Sequence, residues 1–321
     1  MLAMQHARNT ISSKLFGSSL ICFGAIAFPL RVCFLLLLLL FWASSHKVEA
    51  QTSDLTLENV RFESDGASLA GTIFKPKHSY AAVIIVHGSG QEKRMTEFAS
   101  LLAKNGITVL TYDKRGVGES EGVYAGPEVG TNNIDSFNLT LLATDASAAT
   151  NTLLAHLPPN HVPIGLIGFS QAGWIVPIAA KKNTVVSFMV LFSGPVVTAR
   201  EQLRFQFFTQ GNSNFWETHT EAEARDHIRN EPDKYQFADT DPHDALTKLS
   251  IRGFWLFGGK DVQAPVHLSM EHLNALKAIV KPYEYRLFPT LGHNTAFADS
   301  HEPVNAAIKW IKAIGRRTKR N

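Results

Sequence analysis

Cysteine is almost missing from this chain: its 321 residues hold two, Cys22 and Cys33. Both lie in an apolar N-terminal stretch, so a product shortened past that stretch has no thiol for a disulfide, a redox cycle or a cysteine–metal site. A surplus of one charge is lacking too. The net charge of +3 arises within residues 1–50, where Arg8, Lys14, Arg31 and Lys47 face Glu49, and the rest of the chain carries 27 basic and 27 acidic side chains. This balance gives no basis for a nucleic-acid partner. Repeats and low-complexity runs are missing beyond residue 50, and Gly88-Ser89-Gly90 matches neither a phosphate-binding loop nor a dinucleotide fingerprint.

What the chain does have is length and apolar content. With 45% hydrophobic residues it can bury a large core, and one α/β domain of this size is ordinary. The start of the chain reads as a targeting segment: basic residues, then Cys33-Phe34, a leucine run, Phe41 and Trp42, then Val48-Glu49-Ala50 as a small-residue cleavage site. Export to the periplasm or the medium is expected, with Gln51 as the first mature residue. The rival reading is an uncleaved anchor over residues 21–43, interrupted by Pro29 and Arg31, which would be the only membrane contact. Arg316-Arg317-Thr318-Lys319-Arg320 reads as a solvated end.

From residue 56 the pattern alternates around Asp65-Gly66, which predicts a β-hairpin. Continuous apolar runs at 81–86, 107–112, 164–169 and 185–192 predict strands buried on both faces, as in a parallel sheet. Helical periodicity is expected over 96–104, with Phe98, Leu101 and Leu102 on one face, then over 141–157 and from 172 to 180 with a kink at Pro177. Residues 121–138 read as a loop. Strand and helix alternate, the signature of a doubly wound, mostly parallel sheet. Residues 196–248 break the rhythm: helical, polar and aromatic, they form a candidate lid insertion, with ordinary surface packing as the equal alternative. Strands at 254–257 and 283–288 and helices at 266–278 and 303–314 complete the core.

The chemistry centres on Gly168-Phe169-Ser170-Gln171-Ala172. A strand, a sharp turn and a helix with serine at the apex make a nucleophile elbow, in which strain pushes the hydroxyl out and the helix N-terminus leaves N–H groups free. Gly168 and Ala172 must be small because strand and helix pass closely there. A serine hydroxyl is a weak nucleophile, so it needs a base and an acid to orient that base. The expected order is serine, acid, histidine. Asp261 after Gly258-Gly259-Lys260 and His293 after Leu291-Gly292 stand at strand ends in that order, whereas Ser193-Gly194-Pro195 offers no acid. For the oxyanion, the Gln171 N–H and the Ser89 N–H are the candidate donors, with Gly88 next. His87 reads as a brace for that loop rather than a second base.

The residues from about 56 to 314 resemble the α/β-hydrolase superfamily. His87-Gly88-Ser89-Gly90, Asp113-Lys114-Arg115-Gly116-Val117-Gly118-Glu119-Ser120 and Gly165-Leu166-Ile167-Gly168-Phe169-Ser170 look like its exported bacterial esterase and serine-aminopeptidase-like branch. The resemblance implies residues 51–321 as one α/β-hydrolase domain with a helical lid. It further implies hydrolysis of small carboxylic esters, short acyl groups favoured, with no metal or organic cofactor. Ala172 in place of glycine and Phe169 in place of histidine depart from the pattern and bear on pocket shape. The 113–120 turn is expected to tie the loop near the site. Peptidase and thioesterase activities use the same three residues and remain alternatives. A peptidase would need an anchor for the substrate amine, for which Glu217, Glu221 and Glu223 are weakly placed. His219, Glu223 and His227 share a helical face, for which a metal site is the minor reading and an exposed polar face the ordinary one. Asn138-Leu139-Thr140 fits a glycosylation acceptor, and a non-catalytic binding protein is the reading from another class.

Overall fold

The computed structural model describes residues 55–232 and 235–318. The expected signal or anchor, both cysteines, the start at Gln51 and the last basic residues lie outside them. Among the described residues no helix is long and apolar enough to cross a membrane.

The chain opens with β1 (Leu55–Ser64) and β2 (Ala67–Pro76), antiparallel about the Asp65-Gly66 turn. Asp65 and Gly66 have φ of 42° and 72°, the left-handed pair that matches the twist of a two-residue hairpin. Strands β3 (Ala81–Val86), β4 (Ile107–Tyr112), β5 (Ile164–Phe169), β6 (Val186–Phe192), β7 (Arg252–Gly258) and β8 (Tyr283–Phe288) follow. They form one eight-stranded sheet of order β1-β2-β4-β3-β5-β6-β7-β8, parallel from β4 onward. Every residue of β3, β4 and β5 is buried, which is why these strands read as unbroken apolar runs.

Helices cover both faces. On one face lie α2 (Ser136–Ala155), α3 (Ala172–Lys182) and α8 (Val266–Ala278), their apolar residues merged into one core. On the other, α1 (Thr96–Lys104) and α9 (Glu302–Thr318) enclose a second core with Phe74, Val83 and Ile167. The architecture is the doubly wound, mostly parallel sheet that the alternation predicts, and it is the α/β-hydrolase fold that the resemblance implies.

Three local readings change. Leu101 is exposed, and α1 instead buries Phe98, Ala99, Leu102 and Ala103, because the helix meets the sheet along a narrower stripe. Helix α2 begins at Ser136, inside the expected loop, since the Asp135 carboxylate caps it by accepting the Asn138 N–H at 2.9 Å. Helix α3 continues past Pro177 to Lys182. Among the described residues of 196–248 the regular elements are helices: α4 (Ala199–Thr209), α5 (Phe215–Thr218), α6 (Glu221–Asn230) and α7 (His243–Leu246). Their aromatic side chains form a small separate core of Phe205, Phe215, Ala224 and Ile228.

Candidate active site

At the end of β5 the backbone turns so sharply that Ser170 takes φ of 48°, a left-handed conformation rare for a residue with a side chain. The turn is tight because nothing larger fits. A Cβ on Gly168 would come within 2.6 Å of the Ala172 Cβ, and one on Gly173 within 2.6 Å of Pro195. Ala172 is therefore accommodated at the cost of an obligatory glycine two residues before the serine. Phe169 does not reach the cavity; it stacks on Phe192 and Phe297 behind the elbow.

The loops after β7 and β8 meet in the same way. A Cβ on Gly258 would strike the Gly292 carbonyl at 2.1 Å, and the Lys260 N–H donates to the Leu291 carbonyl at 2.8 Å. Asp261 thus arrives beside His293. Its Oδ1 accepts the N–H groups of Gln263 and Ala264 at 2.7 and 2.9 Å, which aims Oδ2 at His293 Nδ1, 2.8 Å away. His293 Nε2 stands 2.8 Å from Ser170 Oγ. The three residues predicted from the sequence form one continuous hydrogen-bonded row. Asp261 is buried, so its carboxylate is shielded from water.

The β3 loop supplies the other wall. A Cβ on Gly88 would lie 3.6 Å from the Ser170 Cβ, so this loop passes close beside Ser170. The N–H groups of Ser89 and Gln171 have no acceptor among the described residues. The Gly88 N–H instead faces the Glu92 carboxylate. Burial raises the Glu92 pKa above its ordinary value.

Lys114 had been expected only as part of a structural turn, and its place is more specific. Its Nζ donates to the carbonyls of Gly88 and Gly90 at 2.7 and 3.2 Å and to Gln171 Oε1 at 3.3 Å, while Gln171 Nε2 donates to the Asn133 carbonyl at 2.7 Å. One buried ammonium therefore joins the loop carrying Ser89 to the residue after Ser170. Burial pushes its pKa down to about 8, opposed by the charges of Glu92 and Glu128. The rest of the turn is tied as expected. Asp113 accepts from Arg94 and from the Glu119 N–H, and Arg115 makes a two-pronged ion pair with buried Asp145 while also reaching the Ser64 carbonyl.

His87 is buried edge-on to Tyr112, with ring centroids 5.0 Å apart, and burial lowers its pKa to about 3. Its Nε2 has no partner among the described residues, and it braces the loop as a neutral packed ring with hydrogen bonds to the Lys93 and Tyr112 backbone. Sequence reasoning also missed Ser193, whose Oγ donates to the His293 carbonyl and lies 3.0 Å from Thr295 Oγ1. The only available signal was a small polar residue at a strand end. Its φ of 50° shows that the turn after β6 is as sharp as the one after β5.

Ser170, Ser89 and Gln171 open onto a cavity of about 460 Å³ between residues 127–134 and α4. The candidate amine anchors lie elsewhere: Glu221 pairs with Arg225, Glu223 caps α6 by accepting from Thr220, and Glu217 does not line the cavity. Among the described residues, the carboxylate that lines it is Glu128. His219 and His227 stack on Phe215 and Phe208, and no cluster of metal-binding side chains occurs among the described residues.

The fold and this arrangement define an α/β hydrolase. The chain belongs to the family described as serine aminopeptidase S33, which it matches over residues 77–273, a span that includes Ser170 and Asp261 but not His293. No curated protein sequence matches it. Solved structures share the fold at low identity. An esterase of Pyrococcus furiosus is 16% identical with a TM-score of 0.56, the match covering 83% of this chain and 91% of that one. An acylaminoacyl peptidase of Pyrococcus horikoshii is 16% identical with a TM-score of 0.58, over 84% of this chain and 42% of the peptidase. An α/β hydrolase of a Penicillium species is 18% identical with a TM-score of 0.57, over 82% of this chain and all of that one, at 100%.

Proposed function

We propose that the protein is a serine hydrolase that cleaves small carboxylic esters, short acyl groups favoured, through an acyl-enzyme. The observation that carries this reading is the unbroken row from Ser170 Oγ through His293 to Asp261, with 2.8 Å at each step, at the wall of an open cavity. His293 Nε2 takes the Ser170 proton as Oγ attacks the ester carbonyl. The N–H groups of Ser89 and Gln171 receive the developing oxyanion, an interaction of the kind worth on the order of 3 kcal/mol per donor. His293 then returns the proton to the departing alcohol oxygen, and water repeats the sequence on the acyl-enzyme. Asp261 holds the imidazole with Nδ1 protonated and stabilises its cationic form. No step calls for a metal or an organic cofactor.

The helices of residues 196–248 act as a lid, a role supported by the side chains that α4 contributes to the cavity wall. Export, to the periplasm or the medium, rests on the N-terminal sequence. Peptidase activity is the second reading, favoured by the family description and by Glu128, a carboxylate able to receive a substrate amine.

The test is hydrolysis of p-nitrophenyl esters of rising acyl length alongside aminoacyl p-nitroanilides. Ser170→Ala should lower kcat/KM on the esters by on the order of 10⁴-fold or more while leaving thermal unfolding intact. Undiminished hydrolysis in that variant would sink the assignment, and anilide turnover in excess of ester turnover would move the protein to the peptidases.

A further inference from the structure

The cavity beside Ser170 is far roomier than a short acyl group requires, and its wall is unusual in what it leaves unbonded. The amide side chains of Asn133, Gln206 and Gln236 line it and make no hydrogen bond among the described residues. Gln202 lines it as well and is almost wholly buried. Its Nε2 is committed to the Gln263 carbonyl, and its Oε1 is buried without a partner. A buried amide oxygen left unpaired is costly, so a shift of the Gln202 side chain that brought it to a ligand donor in the cavity would be favoured.

Glu128 adds a second acceptor. Its Oε2 accepts from the Tyr124 hydroxyl at 2.9 Å, and the residue lines the cavity. Its own backbone N–H and that hydroxyl hold its carboxyl below the ordinary range, so it stays an acceptor at neutral pH. Much of the remaining wall is apolar, aliphatic at Ile134 and Leu203 and aromatic at Trp174, Phe207, Tyr235 and Phe237. Phe207 is 59% exposed and stacks on Tyr235 with ring centroids 6.0 Å apart, offering a flat apolar face at the rim.

Amides donate and accept in pairs, a carboxylate only accepts, and an aromatic face packs against C–H groups. A hydroxyl both donates and accepts, and a ring carrying several of them presents C–H faces between. An alkyl chain would leave every one of these polar groups unpaired. From this complementarity we infer that the cavity takes the alcohol side of the ester and that this alcohol is a polyol or sugar. The inference rests on the proposed ester hydrolysis at Ser170.

The experiment compares three acetyl esters that share one acyl group: methyl 6-O-acetyl-glucoside, hexyl acetate and p-nitrophenyl acetate. The intact protein should turn over the glucoside with a kcat/KM at least about tenfold above that of hexyl acetate, since sites built to hydrogen-bond a hydroxyl discriminate strongly against analogues without one. Gln202→Leu should reduce that ratio about tenfold. Gln206→Leu, at a less buried position on the same face of α4, should reduce it in the same direction and guards against a folding defect in the first variant. A preference for hexyl acetate, or variants that slow both substrates equally, would overturn the inference. So would a better aminoacyl p-nitroanilide, which would assign Glu128 to an amine. Turnover of p-nitrophenyl acetate without the glucoside would overturn this inference and leave ester hydrolysis standing. Silence on all three esters would overturn both.

Discussion

The turn of residues 113–120 and the helices of residues 196–248 both border the candidate site, and they are held by opposite means. The turn is fixed by charge. Asp113, Lys114 and Arg115 are all buried, and each bonds to a group outside the turn: Arg94, the Gly88 and Gly90 carbonyls, and Asp145 of α2. The helices are fixed mainly by aromatic packing, in a cluster distinct from the two main cores. They are joined to the acid loop by a few hydrogen bonds, such as Trp216 Nε1 to the Asp261 carbonyl at 2.8 Å and Thr209 Oγ1 to the Val262 carbonyl at 2.5 Å. Charge-assisted bonds between buried groups tolerate little displacement. Aromatic contacts are less directional and tolerate more displacement.

The contrast is most severely tested at Arg115. Arg115→Met leaves the Asp145 carboxylate buried without its partner, and removing one member of such a pair costs about 3–5 kcal/mol. Urea unfolding should show that loss, whereas Arg225→Met, which breaks partly solvent-exposed pairs to Glu221 of α6 and Glu271 of α8, should barely move the midpoint. Equal losses in the two variants would erase the distinction.

Next in size is Lys114. Its three hydrogen bonds need the protonated ammonium, and burial sets its pKa at about 8, below that of a free lysine. Deprotonation therefore begins at lower pH than usual, and the bridge between the Ser89 loop and Gln171 weakens as pH rises through that value. Hydrolysis by the intact protein should fall above about pH 8 in kcat more than in KM. Lys114→Met should lower kcat by roughly ten- to a hundredfold at neutral pH, in the range of a weakened oxyanion donor, and abolish the alkaline decline. An unaltered alkaline limb in the variant would assign that limb to another group.

The smallest effect is expected at the entrance to the helical segment. Thr198 caps α4, accepting the Glu201 N–H at 3.2 Å while the Glu201 carboxylate accepts the Thr198 N–H at 2.8 Å. Thr198→Ala should cost about 1 kcal/mol in thermal unfolding. A much larger loss would mean that the helices unfold only with the core.

Much of the fold was legible because strand and helix signals are local. The runs at 81–86 and 107–112 coincide with β3 and β4, and the Asp65-Gly66 dipeptide located the hairpin, since periodicity and turn chemistry operate within a few residues. The start of α2 was missed because the apolar pattern begins after the Asp135 cap. Leu101 was misplaced because helical spacing gives a face but not its width.

The sequence by itself determined the order of elements, the strained elbow and the strand ends at which Ser170, Asp261 and His293 stand. Motifs of this kind are short, and their geometry is imposed by neighbours along the chain. The tertiary structure alone decided that Lys114 bridges to Gln171 across 57 residues, that His293 reaches Ser170 across 123, and that Ser193 steadies the histidine loop. It also decided which acid faces the cavity, Glu128 and not the glutamates of α5 and α6. Such contacts are made between loops that meet only when the sheet has assembled, and no spacing along the chain encodes which side chains will then be left unpaired.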